Sequence, residues 1–224
     1  MLRRLLTLLL LLPLSACAQV FGDDYETLGE GSQRWTPAQA GKVEVVELFA
    51  YSCGHCADFH PLIEAWKRKA PKHVRFSYVP ATFDMDNAYA RAYFAAEQAG
   101  VLDRVHGALF DAIHKHGTVP KYNATVDELA TFFGSLGLDR AKMAALMRSP
   151  QVDARMQRAR DFAVANKLGA TPSLLVDGRY LLNGRSKEDR LRILDELVAR
   201  LAVPKQAPKQ APKQAPVPAP AAAQ

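Results

Sequence analysis

Cysteine is scarce in this sequence. Only Cys17, Cys53 and Cys56 occur in 224 residues, and a chain so poor in thiols is not a small fold stapled by disulfides. There is no second cysteine pair, so a zinc site built on Cys53, Cys56 and His60 is short of its fourth ligand. Haem attachment requires C-x-x-C-H, and Ala57 stands where that histidine belongs. Long apolar runs are lacking too. The stretch MLRRLLTLLLLLPL, Met1 to Leu14, is too short to span a membrane comfortably. No basic stripe interleaved with aromatics occurs, which argues against nucleic-acid binding. The net charge of +6 comes partly from the ends, through Arg3, Arg4, Lys205, Lys209 and Lys213. What is present is apolar content of 49%, enough for a real core and too much for a disordered or fibrous chain.

The two ends read as something other than fold. Residues 1–16 have the basic start and short apolar run of a secretory signal. LSAC, Leu14 to Cys17, resembles the lipobox of bacterial lipoproteins, in which the cysteine becomes the lipidated first residue of the mature chain. Ala16 and Ala18 also satisfy the A-x-A pattern for ordinary cleavage before Gln19. Either route takes the chain out of the cytoplasm and leaves Cys53 and Cys56 as the thiols of the folded part. Residues 204–224 repeat K-Q-A-P, with no apolar face to bury, and are expected to form a disordered tail.

Between the ends, apolar periodicity sets an order of elements. Lys42–Tyr51, KVEVVELFAY, reads as a strand buried on both faces. Phe59, Leu62, Ile63 and Trp66 then fall at i, i+3, i+4 and i+7 of an amphipathic helix. His73–Pro80 alternates as a second strand, completing a βαβ unit. Residues 85–168 are helical in pattern, with Gly100, Gly117, Gly134, Gly137 and Gly169 as helix stops and Thr125 and Ser149 as N-caps. Thr125 and Glu128 have capping-box spacing. Pro172–Gly184 reads as a hairpin around Asp177-Gly178, followed by a last helix that lines up Leu191, Leu194, Leu197, Val198 and Leu201.

The chemistry-bearing stretch is YSCGHCADFHP, Tyr51 to Pro61. Its two cysteines are suited to thiol redox chemistry or to a metal; a disulfide closing so short a loop would constrain little. Glu47 interrupts an apolar strand, either as a solvent-facing charge at a sheet edge or as a partly buried acid with a raised pKa. His60 reads as a surface or groove residue, and His73, His106, His114 and His116 as solvated. Trp66, Phe59 and the aromatic residues of Ala88–Phe94 read as core.

This order resembles the thioredoxin fold: βαβ with C-x-x-C opening the first helix, then a hairpin and a helix. The helical block and TPSLLVDGRYLLNG resemble the DsbA branch of that superfamily, the periplasmic thiol–disulfide oxidoreductases. The likeness runs from Tyr25 to Leu201 and gains specificity from Glu47, Pro61 and Thr171-Pro172. It implies an α/β thioredoxin fold with an inserted helical domain. An N-terminal segment with a short first strand (17–41) precedes the first half (42–84); the insertion (85–168) and the second half (169–203) follow.

The resemblance also implies roles. Cys53, at a helix N-terminus, is the attacked sulfur with a lowered pKa, and Cys56 is its buried resolving partner. His55 adds positive charge when protonated, and Gly54 leaves the turn free. Glu47 relays protons for Cys56. Thr171-Pro172 is cis and aligns an extended substrate. The family often places a lysine near this acid on the following strand, where Tyr78 stands here. No metal and no cofactor beyond the Cys53–Cys56 disulfide are implied. Reduced exported proteins and a membrane re-oxidase of the DsbB type are the implied partners of a periplasmic monomer, with Cys17 as a further lipid anchor. A reductase or isomerase is the alternative within this chemistry, and a membrane-tethered metal-binding thiol module the alternative outside it.

Overall fold

The computed structural model describes residues 24–202. The signal segment, Cys17 and the K-Q-A-P tail lie outside the described residues. In chain order the elements are β1 (Tyr25–Thr27), β2 (Val43–Phe49), α1 (Gly54–Lys69), β3 (Val74–Pro80), α2 (Ala88–Gln98), α3 (Leu102–His114), α4 (Val126–Ser135), α5 (Arg140–Met147), α6 (Pro150–Ala165), β4 (Ser173–Val176), β5 (Tyr180–Leu182) and α7 (Lys187–Ala202).

One sheet organises them, in the order β1-β5-β4-β2-β3. β2 is buried at every residue because it is central and covered on both faces. It pairs in parallel with β3, which returns through α1, and antiparallel with β4. Val45, Val46, Leu48 and Phe49 are fully buried, each contributing roughly 1.5–3 kcal/mol of burial. α1 packs with Cys56, Phe59, Ile63 and Trp66, so the helix that carries the thiols is anchored by its own apolar stripe. The Trp66 indole N–H donates to Asp195 of α7 at 2.6 Å, tying the two halves together. Tyr89, Tyr93 and Phe94 of α2 are core residues. Helices α2 to α6 form the block inserted between β3 and β4. No helix among the described residues is long and apolar enough to cross a membrane.

The helix ends show where local pattern decides and where packing does. The capping box at Thr125 and Glu128 forms, and Ser149 caps α6. Gly100, Gly117 and Gly137 take left-handed φ just beyond helix ends. Gly134 does not stop a helix: it lies inside α4, on the exposed side. Gly169 does not stop α6 either. Lys167 takes the left-handed position with φ 54, because Leu168 is buried and its N–H returns to Ala163 C=O at 2.8 Å. That is a Schellman closure, in which the buried residue after the cap fixes the register.

In the hairpin, Asp177 and Gly178 both have positive φ, and Arg179 N–H closes the turn onto Val176 C=O at 3.0 Å. Three residues, rather than two, separate the paired Val176 and Tyr180. Gly178 is required there, since a β-carbon would sit 2.5 Å from the Gln33 carbonyl oxygen.

Candidate active site

The chain leaves β2 at Phe49 and turns at once into α1. Cys53 N–H donates to Ala50 C=O at 3.1 Å, and Cys53 takes the N-cap position with extended backbone. Its sulfur therefore does what a capping oxygen does: it accepts the Cys56 N–H, at 3.2 Å. Both cysteines carry free thiols, Cys53 half-buried and Cys56 buried. The Cys53 sulfur also lies 3.4 Å from the Thr171 carbonyl oxygen, and the Thr171-Pro172 peptide bond is cis.

This geometry pushes the two sulfurs apart electrostatically. The Cys53 thiol falls to about 5, chiefly because the Cys56 thiol donates to it. Burial opposes the shift, while contacts with Thr171 and the backbone N–H groups of Cys56 and His55 add to it. The Cys56 thiol is held far up by the same hydrogen bond, then by burial. The open pair thus carries one proton on the inner sulfur and one negative charge on the outer.

His55 is exposed, and what it brings to Cys53 is its backbone N–H. His55→Ala is therefore expected to move the Cys53 ionisation midpoint by less than ~1 unit, read from thiolate absorbance against pH. Gly54 leaves space in front of the thiols, and a β-carbon there would meet only the Lys121 ammonium, at 3.9 Å.

Glu47 and Glu44 lie on the same strand with opposite fates. Glu44 is fully buried and accepts the N–H groups of Trp35 and Thr36, at 3.0 and 2.7 Å, together with the Thr36 hydroxyl. Glu47, 2% exposed, has one carboxylate oxygen with no hydrogen-bond partner. Burial raises its pKa to about 8, against the opposing pull of Lys67. The sheet-edge reading fails because β2 lies between β4 and β3.

Tyr78 is Glu47's register partner in β3. The cation near them comes from α1: Lys67 lies 4.5 Å from the Tyr78 ring centre and 2.6 Å from Glu64. The Tyr78 hydroxyl donates to the same Glu64 oxygen at 2.7 Å. Sequence reasoning missed Lys67, although its i, i+3 spacing from Glu64 was a signal. These side chains line a cavity of about 510 Å³ that also contains His60 and His106.

The histidines correct an expectation. His106 is buried, not solvated, and its Nδ1 pairs with the Tyr51 hydroxyl at 2.7 Å. It sits on the core-facing stripe of α3 with Val105, Leu109, Phe110 and Ile113. His114 is partly buried, with Nε2 2.7 Å from the Tyr51 carbonyl oxygen. His73 is partly buried as well, and His116 is exposed. The His60 ring packs on Phe110 and His106, at 5.0 and 4.9 Å between ring centres, and burial lowers its pKa. Among the described residues, no group of three or more His, Cys, Asp or Glu is arranged to hold a metal ion.

Known proteins resemble this chain in sequence and fold. A family model described as thioredoxin matches residues 30–196. The thiol:disulfide interchange protein DsbA of Azotobacter vinelandii is 39% identical over 165 residues, 72% of this chain and 76% of its own. The Pseudomonas aeruginosa protein of that name is 34% identical over 204 residues, 86% of this chain and 95% of its own. The crystal structure of the oxidoreductase DsbA from Xylella fastidiosa superposes with a TM-score of 0.76 at 43% identity, covering 81% of this chain and 97% of that one. An outer sulfur ionised beside an inner sulfur that keeps its proton, on a fold these proteins share, makes this chain a disulfide oxidoreductase of the DsbA family within the thioredoxin superfamily.

Proposed function

We propose that the protein donates its Cys53–Cys56 disulfide to newly exported proteins in the periplasm. The observation that carries this reading is the split between the two sulfurs, with Cys53 at about 5 and Cys56 held far up. A client thiolate attacks the Cys53 sulfur. The Cys53–Cys56 bond breaks, a client–Cys53 bond forms, and Cys56 leaves with the electron pair and takes up a proton. A second client thiolate then attacks the client sulfur and releases Cys53 as a stable thiolate. The client gains a disulfide and the enzyme is left as a dithiol.

Glu47 supports the proton step. It lies close enough to Cys56 for its charge to raise that thiol. With a pKa of about 8 it carries a proton at neutral pH, available to the departing Cys56 thiolate. Thr171 and Pro172 border the exposed sulfur, where an extended client would lie.

The direction of transfer follows from linkage. A Cys53 pKa lowered in the open form stabilises the dithiol fully above ~8.5, and that stabilisation is lost as pH falls through about 5. At neutral pH the disulfide is therefore the form that is given away. Turnover needs no cofactor beyond the thiol pair, but it does need an oxidant, for which a membrane re-oxidase of the DsbB type is the fitting class. Export rests on the apolar N-terminal segment, and anchoring on Cys17.

Equilibration with glutathione tests the direction. The pair is expected to have a potential more positive than the ~−180 mV of an isomerase. A value near the ~−270 mV typical of a reductase would overturn the donor reading.

A further inference from the structure

The surroundings of Cys53 are basic from two separate elements. A groove of about 550 Å³ runs past Thr171 and Pro172 and is lined by Arg185, Lys187 and Arg190 against one carboxylate, Glu188. Arg190 is turned inward, donating to the Pro172 carbonyl at 3.0 Å. Lys187 reaches Asp58 at 3.0 Å, a pair open to solvent. The Glu188 carboxylate is already held by its own backbone N–H and by Ser186. Arg185 is exposed and makes no ion pair among the described residues. Lys121, in the connection between α3 and α4, stands over Gly54, equally exposed and without an ion pair there.

A cation without an ion pair in the groove at Thr171-Pro172, and another over Gly54, have a chemical consequence for a nucleophile arriving at Cys53. The incoming nucleophile is itself an anion, the client thiolate. Carboxylates next to a cysteine raise its thiol pKa and thin out that thiolate. A basic cleft attracts the acidic segment and restores the thiolate fraction. We propose that this groove selects reduced cysteines set in acidic stretches of client chains, with Arg185 and Lys187 receiving the carboxylates beside Thr171-Pro172 and Lys121 receiving those over Gly54. The inference rests on the donor reading and names its substrate class. The exchange is the one written above: the client–Cys53 bond forms as the Cys53–Cys56 bond breaks, and Cys56 takes the proton.

The test uses the oxidised full-length protein and three reduced dithiol peptides that differ only in flanking residues: Asp/Glu, Ser or Lys. Each second-order rate is divided by the rate of the same peptide with hydroxyethyl disulfide, an uncharged oxidant, which removes differences in intrinsic thiol reactivity. The acidic peptide is expected to lead the lysine peptide by roughly tenfold at low ionic strength, and the gap to close at roughly 0.5 M salt. In the combined Lys121→Glu, Arg185→Glu and Lys187→Glu variant the ranking is expected to reverse. Because the ranking is read within one protein, a general loss of activity does not mimic it. Equal normalised rates, or a ranking unchanged in the variant, would overturn the acidic preference alone. Failure to oxidise even the serine peptide would overturn the donor reading and this inference with it.

Discussion

Cys53→Ser is expected to lower oxidation of a reduced peptide dithiol by at least ~10³-fold, since the Cys53–Cys56 disulfide that is exchanged can no longer form. Cys56→Ser is expected to fail differently. Cys53 stays accessible beside Thr171, and its thiolate still attacks the disulfide of an oxidised client peptide. A client–Cys53 mixed disulfide forms as the client's own disulfide breaks and releases a thiol, but the hydroxyl that replaces the inner thiol cannot resolve the adduct. The variant should therefore accumulate adducts heavier by one client peptide, visible by mass spectrometry and reversed by a reductant. The contrast follows from position: Cys53 caps the helix with a half-exposed sulfur, and Cys56 faces the core one turn deeper. Full activity in both variants would contradict the assignment of the thiol pair as the reactive centre.

Glu47→Gln is expected to stabilise the fold in alkaline solution and to leave it unchanged in acid. The wild-type carboxyl titrates from 4.5 in its ordinary setting to about 8 when buried. Below 4.5 both folded and unfolded chains carry the proton, so the substitution has no electrostatic effect. Between 4.5 and 8 the unfolded chain ionises while the folded one holds its proton, and wild-type stability falls as pH rises. Above 8 the loss is complete, on the order of 5 kcal/mol, and the glutamine variant is spared it. Urea unfolding of both proteins at acid and alkaline pH measures this, with the difference between them isolating Glu47 from other titrating groups. The same variant, unable to supply a proton, should also slow release of Cys56. Identical stability–pH curves would show that Glu47 is not held protonated by burial.

Much of this was legible in the sequence because the relevant signals are local. The Phe59–Ile63–Trp66 stripe placed α1 at the thiols, and an acid interrupting an apolar strand marked Glu47, although Glu44 on the same strand carried the same mark. The Asp177-Gly178 turn located the hairpin that brings Thr171-Pro172 to the site. What stayed hidden depends on contacts between elements. The i, i+3 spacing from Glu64 hints at a pair within α1, but nothing near Lys67 in the chain says that it reaches Tyr78 across the α1–β3 interface. Lys121 lies far along the chain from Gly54 and meets it only through the fold. His106 reads as polar until α3 is turned so that its stripe faces the core. Gly134 and Gly169 were misleading for the same reason: composition marks where a helix is free to stop, whereas buried Leu168 decides where α6 does.

Ionisation of the reduced protein, followed by thiolate absorbance from acid to alkaline pH, tests the central claim most directly. One thiolate is expected to appear with a midpoint at about 5, with no second ionisation through neutral pH because Cys56 keeps its proton. A first midpoint near the ~8.5 of free cysteine would contradict the account, because the open dithiol would then have no advantage at neutral pH over the disulfide it is meant to give away.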